Sequence, residues 1–320
     1  MFRVLKSSDG SPITEHTGPE AVKAPEEGEF CWVDLEGFDD AELNLLQQRF
    51  GFHQLAIEDC ANRTQRAKVD EYDGHSFIII HDMTYPPGSA KSVQFEELDS
   101  FLGERFLVTV HRKPIALLGN VWKQVISNPI CAGHGPDYVY YLIADAILDK
   151  TFPIIDRFSD ELLQIEKDIV ERADGRELAG LLKLKRSMVA VRRVLASERD
   201  VLASLLRHGN SRIADRNLPY FRDSYDHLVR AYEQIDIERD LLGNAMDAHM
   251  SMISNRMNVI MKQLTILSAI FLPPLFITSF FGQNFTALPF DSHSLLYLEI
   301  VFCIALPAVM LYWFYRSRWL

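Results

Sequence analysis

Two apolar runs at the C-terminal end limit what this chain can become. Residues 264–281 (LTILSAIFLPPLFITSFF) make an 18-residue run without a charge. Residues 295–315 make a second run of 21, interrupted only by Glu299 and Pro307. A hydrocarbon core about 30 Å thick is spanned by roughly 20 apolar helical residues. One such run can be the core helix of a soluble domain. Two in tandem, 13 residues apart, predict a membrane hairpin. Arg256 and Lys262 precede the first run, Arg316 and Arg318 follow the second, and residues 282–294 carry no Lys or Arg. Positive flanks stay on the cytoplasmic side, which predicts cytoplasmic termini and an outward-facing loop. Tyr312, Trp313, Phe314, Tyr315 and Trp319 cluster where an interfacial aromatic belt belongs. The pair Pro273-Pro274 removes two backbone donors within the first span, so a local kink or widening is expected there.

The formal net charge of −11 lies entirely ahead of the hairpin, because the four charges after Lys262 cancel. An acidic body of this kind disfavours nucleic acid and favours cations, although most single Asp and Glu residues are read as a solvated surface. Cys31, Cys60, Cys131 and Cys303 form no C-x-x-C pair, which suits a reducing cytosol. The N-terminus lacks the apolar segment of a cleavable signal peptide. The ten histidines are scattered, without a zinc-binding spacing, and structural roles are favoured for His53, His81, His111 and His249. No phosphate-binding glycine loop or nucleophile elbow is present, so an enzyme is not expected.

Up to about Lys113 the pattern mixes β-rich runs (FIIIH at 77–81, FLVTVH at 106–111) with helical stretches such as 40–50, and this reads as an α/β domain whose strand order stays open. Helical periodicity takes over at 137–172 and 177–207, with Asp174-Gly175 as the break between them. A third helix starts near Tyr220 and meets no strong breaker before Pro273; carried to Phe281 it holds about 60 residues and runs roughly 90 Å. No small core buries such a helix, so it must pack against copies of itself. The chain divides accordingly into an α/β domain (1–136), a helical hairpin (137–219), the stalk of the long helix (220–262), a first span (263–281), an outward-facing loop (282–294), a second span (295–315) and a basic tail (316–320).

At alternating steps of four and three the approach to the membrane reads Ser254, Asn258, Met261, Thr265, Ser268, Leu272. This seam is mostly small and polar, while the other faces carry Ile253, Val259, Ile260, Leu264, Leu267, Ile270 and Phe271. A polar seam in lipid must face protein or water. It is either a small-residue packing face or the wall of a hydrated pore narrowed by Met and Leu rings. Below it stand Asp247, Asp240 and Asp223, which would gather cations at an inner mouth.

The segment SNRMNVIMKQLTILSAIFLPPLFITSFFGQNF (254–285) resembles the pore helix and signature loop of the CorA family. HQLAIED (53–59), AKVDEYDGHSFIII (67–80), FLGERFLVTVH (101–111) and YFRDSYDHLVR (220–230) resemble further family motifs, so the likeness covers roughly residues 30–320. The resemblance implies a homopentameric funnel in a bacterial inner membrane. It implies passive influx of hydrated Mg²⁺, with Co²⁺ or Ni²⁺ as further ions, closed by intracellular Mg²⁺ at acidic sites between subunits. By motif, Gly282 and Asn284 match the selectivity entrance, Asn258 the inner polar ring, and Met261 and Leu264 the hydrophobic gate. Asp223 matches the regulatory metal site and Asp247 a second acidic position; Asp82, Glu96 and Glu97 are candidates for the regulatory partner. The signature departs from the family pattern at Gln283, where Met is usual, and at Phe281, where Tyr is usual. Zinc-associated relatives vary the same middle residue, so Zn²⁺ and Co²⁺ remain alternatives to Mg²⁺. A tail-anchored coiled-coil scaffold without transport is the alternative of another class.

Overall fold

A computed structural model of the chain describes residues 1–8, 13–62, 65–86, 92–172, 176–207, 212–283, 292–317 and 319. They form two compact units, Met1–Ala245 and Met246–Leu320. The first unit holds one seven-stranded sheet. Its strands are β1 (Phe2–Ser8), β2 (Thr14–Thr17), β3 (Glu29–Glu36), β4 (Lys68–Tyr72), β5 (His75–Thr84), β6 (Gln94–Gly103) and β7 (Phe106–His111), in the order β2-β1-β3-β7-β6-β5-β4. Every pairing is antiparallel except β3 with β7. The β-rich runs seen in the sequence are β5 and β7, and their near-continuous apolar character has a structural reason: helices cover both faces of the sheet.

On one face, α1 (Asp40–Phe50) and α2 (Gln54–Ala61) bury Leu43, Leu46, Ala56 and Ile57 against Val33, Leu35, Phe77, Ile79, Phe101, Val108 and Val110. The first of these helices is closed at both ends by local chemistry. Asp39 Oδ1 accepts the Glu42 N–H at 2.9 Å and Glu42 Oε2 accepts the Asp39 N–H at 3.2 Å, a reciprocal cap. Gly51 ends it at φ 70°, a left-handed position that glycine takes at little cost. On the opposite face, α3 (Ala116–Ser127) brings Trp122 to 4.7 Å from Trp32, and α5 (Pro136–Asp149) packs across β3, β5, β6 and β7. A short α4 (Pro129–Gly133) joins the two.

The helix expected over 137–172 is two helices. The first, α5, ends at Lys150, and α6 (Thr151–Arg172) follows. Pro153 explains the interruption, since it has no N–H to reach back to the Asp149 carbonyl and restricts the residue before it. The next helix, α7 (Arg176–Leu205), packs against α6 and against the β4–β5 side of the sheet. The Asp174-Gly175 break lies outside the described residues.

Helix α8 (Leu218–Phe281) has 64 residues, about 96 Å at 1.5 Å per residue. It stays helical through Pro273 and Pro274. The last helix, α9 (His293–Arg316), has 24 residues. Both are long and apolar enough to cross a membrane, and their apolar side chains face outward: Leu275 and Phe276 are 69% exposed and Tyr315 is 73% exposed. Surface of that kind is stable only against lipid or further protein.

Candidate functional site

Counted at 100° per residue, Ser254, Asn258, Met261, Thr265, Ser268 and Leu272 fall within an arc of about 80° on α8. All six side chains are exposed. Leu264 is exposed too and stands about 40° outside that arc. Phe271, Ile260 and Leu267 stand about 100°, 120° and 140° from its centre. The chemistry of the stripe is that of a hydrogen-bonding track without formal charge. Thr265 Oγ1 donates its proton to the Met261 carbonyl at 2.8 Å, so what it offers outward is an oxygen acceptor. The exposed Asn258 amide offers an acceptor and two donors.

At the C-terminal end of α8 the Gly282 N–H donates to the Thr278 carbonyl at 3.0 Å, and the Gln283 N–H to the Phe280 carbonyl at 3.3 Å. A Cβ on Gly282 would sit 3.1 Å from the Thr278 oxygen, a close approach that favours glycine there. Both Gly282 and Gln283 are exposed. Asn284 lies outside the described residues.

The acidic candidates divide into two kinds. Asp247 is exposed on α8 and lies 11 residues, about three turns, before Asn258, which puts it on the line of the stripe. Asp240 is exposed too and belongs to the first unit. Asp223 belongs to the first unit as well. Its carboxylate is 3.7 Å from His227 Nε2 and largely exposed, with Asp145 nearby. Burial, and then the charges of Asp149 and Asp223, push the Asp145 carboxyl up, while the Ser224 hydroxyl, donating to Asp145 Oδ1 at 3.2 Å, pulls it down. Asp145 and Asp149, one turn apart on α5, escaped the sequence reading although their i, i+4 spacing was visible. Among the described residues no group of three or more His, Cys, Asp or Glu side chains is arranged to hold a metal ion.

The three partner candidates are each engaged within their own chain. Asp82 is buried and paired with Lys150; Glu96 Oε2 is 2.7 Å from Lys113 Nζ; Glu97 Oε2 accepts the Gln65 N–H at 2.8 Å.

The model of the CorA-like Mg²⁺ transporter protein family matches residues 27–316, nearly the whole chain. The chain belongs to the CorA family. This membership makes it a transporter rather than an enzyme, and an integral membrane protein. Among its relatives is YfjQ of Bacillus subtilis (strain 168), whose name proposes metal ion transport; it is 33% identical over 320 residues, 100% of this chain and 98% of the relative. The cobalt/magnesium transport protein CorA of Thermotoga maritima is 28% identical over 296 residues, 90% of this chain and 83% of the relative. The zinc transport protein ZntB of Yersinia pestis is 23% identical over 302 residues, 91% and 88% of the two chains. The complete structure of the CorA magnesium transporter of Methanocaldococcus jannaschii superimposes with a TM-score of 0.83, covering 99% of this chain and 98% of that one at 22% identity. The CorA fold is thereby shared along the full length: an N-terminal α/β domain, a long helix and two C-terminal apolar helices.

Proposed function

We propose that five copies of this chain form a channel for hydrated Mg²⁺, with the Ser254–Leu272 stripe of α8 lining a central path. The observation that carries this reading is the exposed, hydrogen-bonding stripe running into an otherwise apolar span. A copy-to-copy arrangement gives that stripe a watery axis and covers the apolar flanks. Mg²⁺ sheds its water shell reluctantly, so acceptors such as the Thr265 oxygen and the Asn258 and Asn284 amides suit an ion that keeps its waters. Neutral rings of this kind bind weakly enough to release the ion. Met261, Leu264 and Leu272 supply the apolar rings of a gate, and Gly282, Gln283 and Asn284 form the outer entrance.

Closure by intracellular Mg²⁺ fits the acidic residues on α8. Asp223 is exposed and among the described residues lacks a complete ligand set within its own chain, so a metal there needs a neighbouring subunit. Asp82 is the weakest of the partner candidates, because using it means breaking the buried pair with Lys150. Ion binding between subunits favours the closed assembly by mass action, and its loss loosens that assembly.

Gln283 and the ZntB relative favour a second reading, in which Zn²⁺ is the ion carried. Influx into proteoliposomes loaded with ion-sensitive dyes separates the two. Mg²⁺ influx that Co²⁺ competes for, and that Asn284→Ala abolishes, supports the first reading. Zn²⁺ uptake that depends on a proton gradient, with no Mg²⁺ influx, supports the second. Absence of influx for every ion would leave the hairpin as an anchor.

A further inference from the structure

The first unit contains a cavity of about 640 Å³ that the transport reading leaves without a role. It opens beside the C-terminal end of α2 and is walled by β5, β6 and one face of α7. That volume is in the range of small-molecule sites.

The buried part of its lining carries polar atoms without partners. The His81 side chain is buried, and its Nε2 lies 3.0 Å from the Gln65 carbonyl, so that nitrogen carries the proton and Nδ1 is left as an acceptor; Nδ1 has no partner among the described residues. Asp99, 4% exposed, has Oδ1 without a partner as well. Register places Ile79 opposite Asp99 and His81 opposite Glu97, so His81 and Asp99 are diagonal neighbours on one face of the sheet, about 7–8 Å apart. Burial, and then the charge of Glu97, push the Asp99 carboxyl well above its ordinary value, while the Cys60 thiol opposes. Burial holds His81 below its ordinary value and neutral. The floor therefore presents two buried polar atoms, His81 Nδ1 and Asp99 Oδ1, on one face of the sheet and without partners among the described residues, which a ring carrying its own donors and acceptors can meet.

The exposed part of the lining is cationic, in contrast to the acidic chain as a whole. Arg66, Arg112, Lys113 and Arg193 stand against the carboxylates of Glu96 and Glu97. Arg112 is fixed by donating to the Cys60 and Ala61 carbonyls, and Lys113 is paired with Glu96. Among the described residues Arg66 pairs only with an exposed Asp200 at 4.0 Å, an interaction of little worth. Arg193 forms no ion pair among the described residues. An adjoining hollow shares Arg66 and Arg193 and adds Arg192 and Arg239, both held by Asp236.

We propose that this cavity binds a nucleoside phosphate, its base on His81 and Asp99 and its phosphate between Arg66 and Arg193. The site is for a small molecule and implies nothing about nucleic acid. Phe38, Phe95 and Val194 supply the apolar contact for the ring.

The test is equilibrium binding to the full chain in detergent, without divalent ions, using AMP, GMP and UMP as probes beside adenosine and inorganic phosphate. At least one nucleotide should bind saturably, once per chain, and at least tenfold tighter than adenosine or phosphate alone. Arg193→Gln should weaken it tenfold or more. Val194→Trp, which fills the cavity from a half-buried position on α7, should abolish it. Asp99→Asn, which keeps a polar side chain, should retain binding that Asp99→Leu loses. No binding of any nucleotide up to millimolar concentration overturns the proposal. So does phosphate binding as tightly as the nucleotides, or binding indifferent to Val194→Trp. None of these readouts depends on ion conduction.

Discussion

Replacing Glu198 with Gln should stabilise the protein, and by more as the pH rises. Glu198 sits on α7 fully inside the first unit. Its Oε1 accepts the His81 backbone N–H at 2.9 Å, and its Oε2 has no partner among the described residues. The acceptor role follows from the sheet: β4 begins at Lys68 opposite Ile79, so on that edge β5 has no neighbouring strand beyond Ile79 among the described residues, while β6 pairs with its other edge, and Glu198 of α7 takes up the freed N–H. Burial pushes the carboxyl from its ordinary 4.5 up to about 8, with the His81 N–H opposing and the charge of Asp82 adding. The folded state therefore keeps a proton that the unfolded chain has released above pH 4.5. Fewer protons in the unfolded state mean that stability falls as pH rises, from about 4.5 to about 8. At pH 7 the loss is about 3 kcal/mol, from 1.36 kcal/mol per pH interval. Gln cannot ionise, its oxygen can keep the His81 bond, and Tyr140, whose hydroxyl has no partner among the described residues, lines the same small void. Thermal melting of the full chain from pH 5 to 8 should give a falling wild-type curve and a flatter one for Glu198→Gln. Parallel curves would refute the claim that this carboxyl is protonated in the folded protein.

Asp34→Asn should cost about 3–5 kcal/mol, because it strands Arg3 and His111 around a buried position. Burial alone would raise Asp34; His111, with Thr109 and Arg3, outweighs burial and holds it below its ordinary value of 3.8. That share of stability is present above pH 3.8 and drains away on acidification below it, a slope that melting of the Asn variant should lack. For His111 burial lowers and the bond to Asp34 raises, the latter winning, so its share is full below pH 6.5 and is lost as pH rises above that. Gly51→Ala should cost about 1 kcal/mol at its left-handed φ, read as a lower melting temperature. Burial pushes the Cys31 thiol up to about 12 and Cys60 well above its ordinary value, so thiol reagents at pH 8 should label both only after unfolding.

The membrane hairpin, the long helix and the stripe could be read from the sequence because each is a local pattern, of charge, length or period. Strand identity was legible for β5 and β7 for the same reason. The sheet order was not, since the parallel β3–β7 pair joins residues some 75 apart with α1, α2, β4, β5 and β6 between them. The α5–α6 break had a visible cause in Pro153, masked by apolar periodicity that runs on across it. Reading acids as a solvated surface failed at Asp34, Asp82, Asp99 and Glu198, all buried. For Glu198 a cue existed: it shares a helix face with Leu195 and Leu202. What Asp82, Glu96 and Glu97 contact depends on Lys150, Lys113 and Gln65, and only the tertiary structure brings those residues together.

Cysteine scanning of residues 254–272 in a Cys303→Ser background puts the pore most directly to the test. Cys31, Cys60 and Cys131 are buried and contribute little background. With a charged, water-soluble thiol reagent and Mg²⁺ influx as the readout, cysteines at 254, 258, 261, 265 and 268 should react and block influx. Those at 260, 267 and 271 should react slowly and conduct normally. Block at the second set, or equal block at both, would contradict a water-filled path along this face of α8.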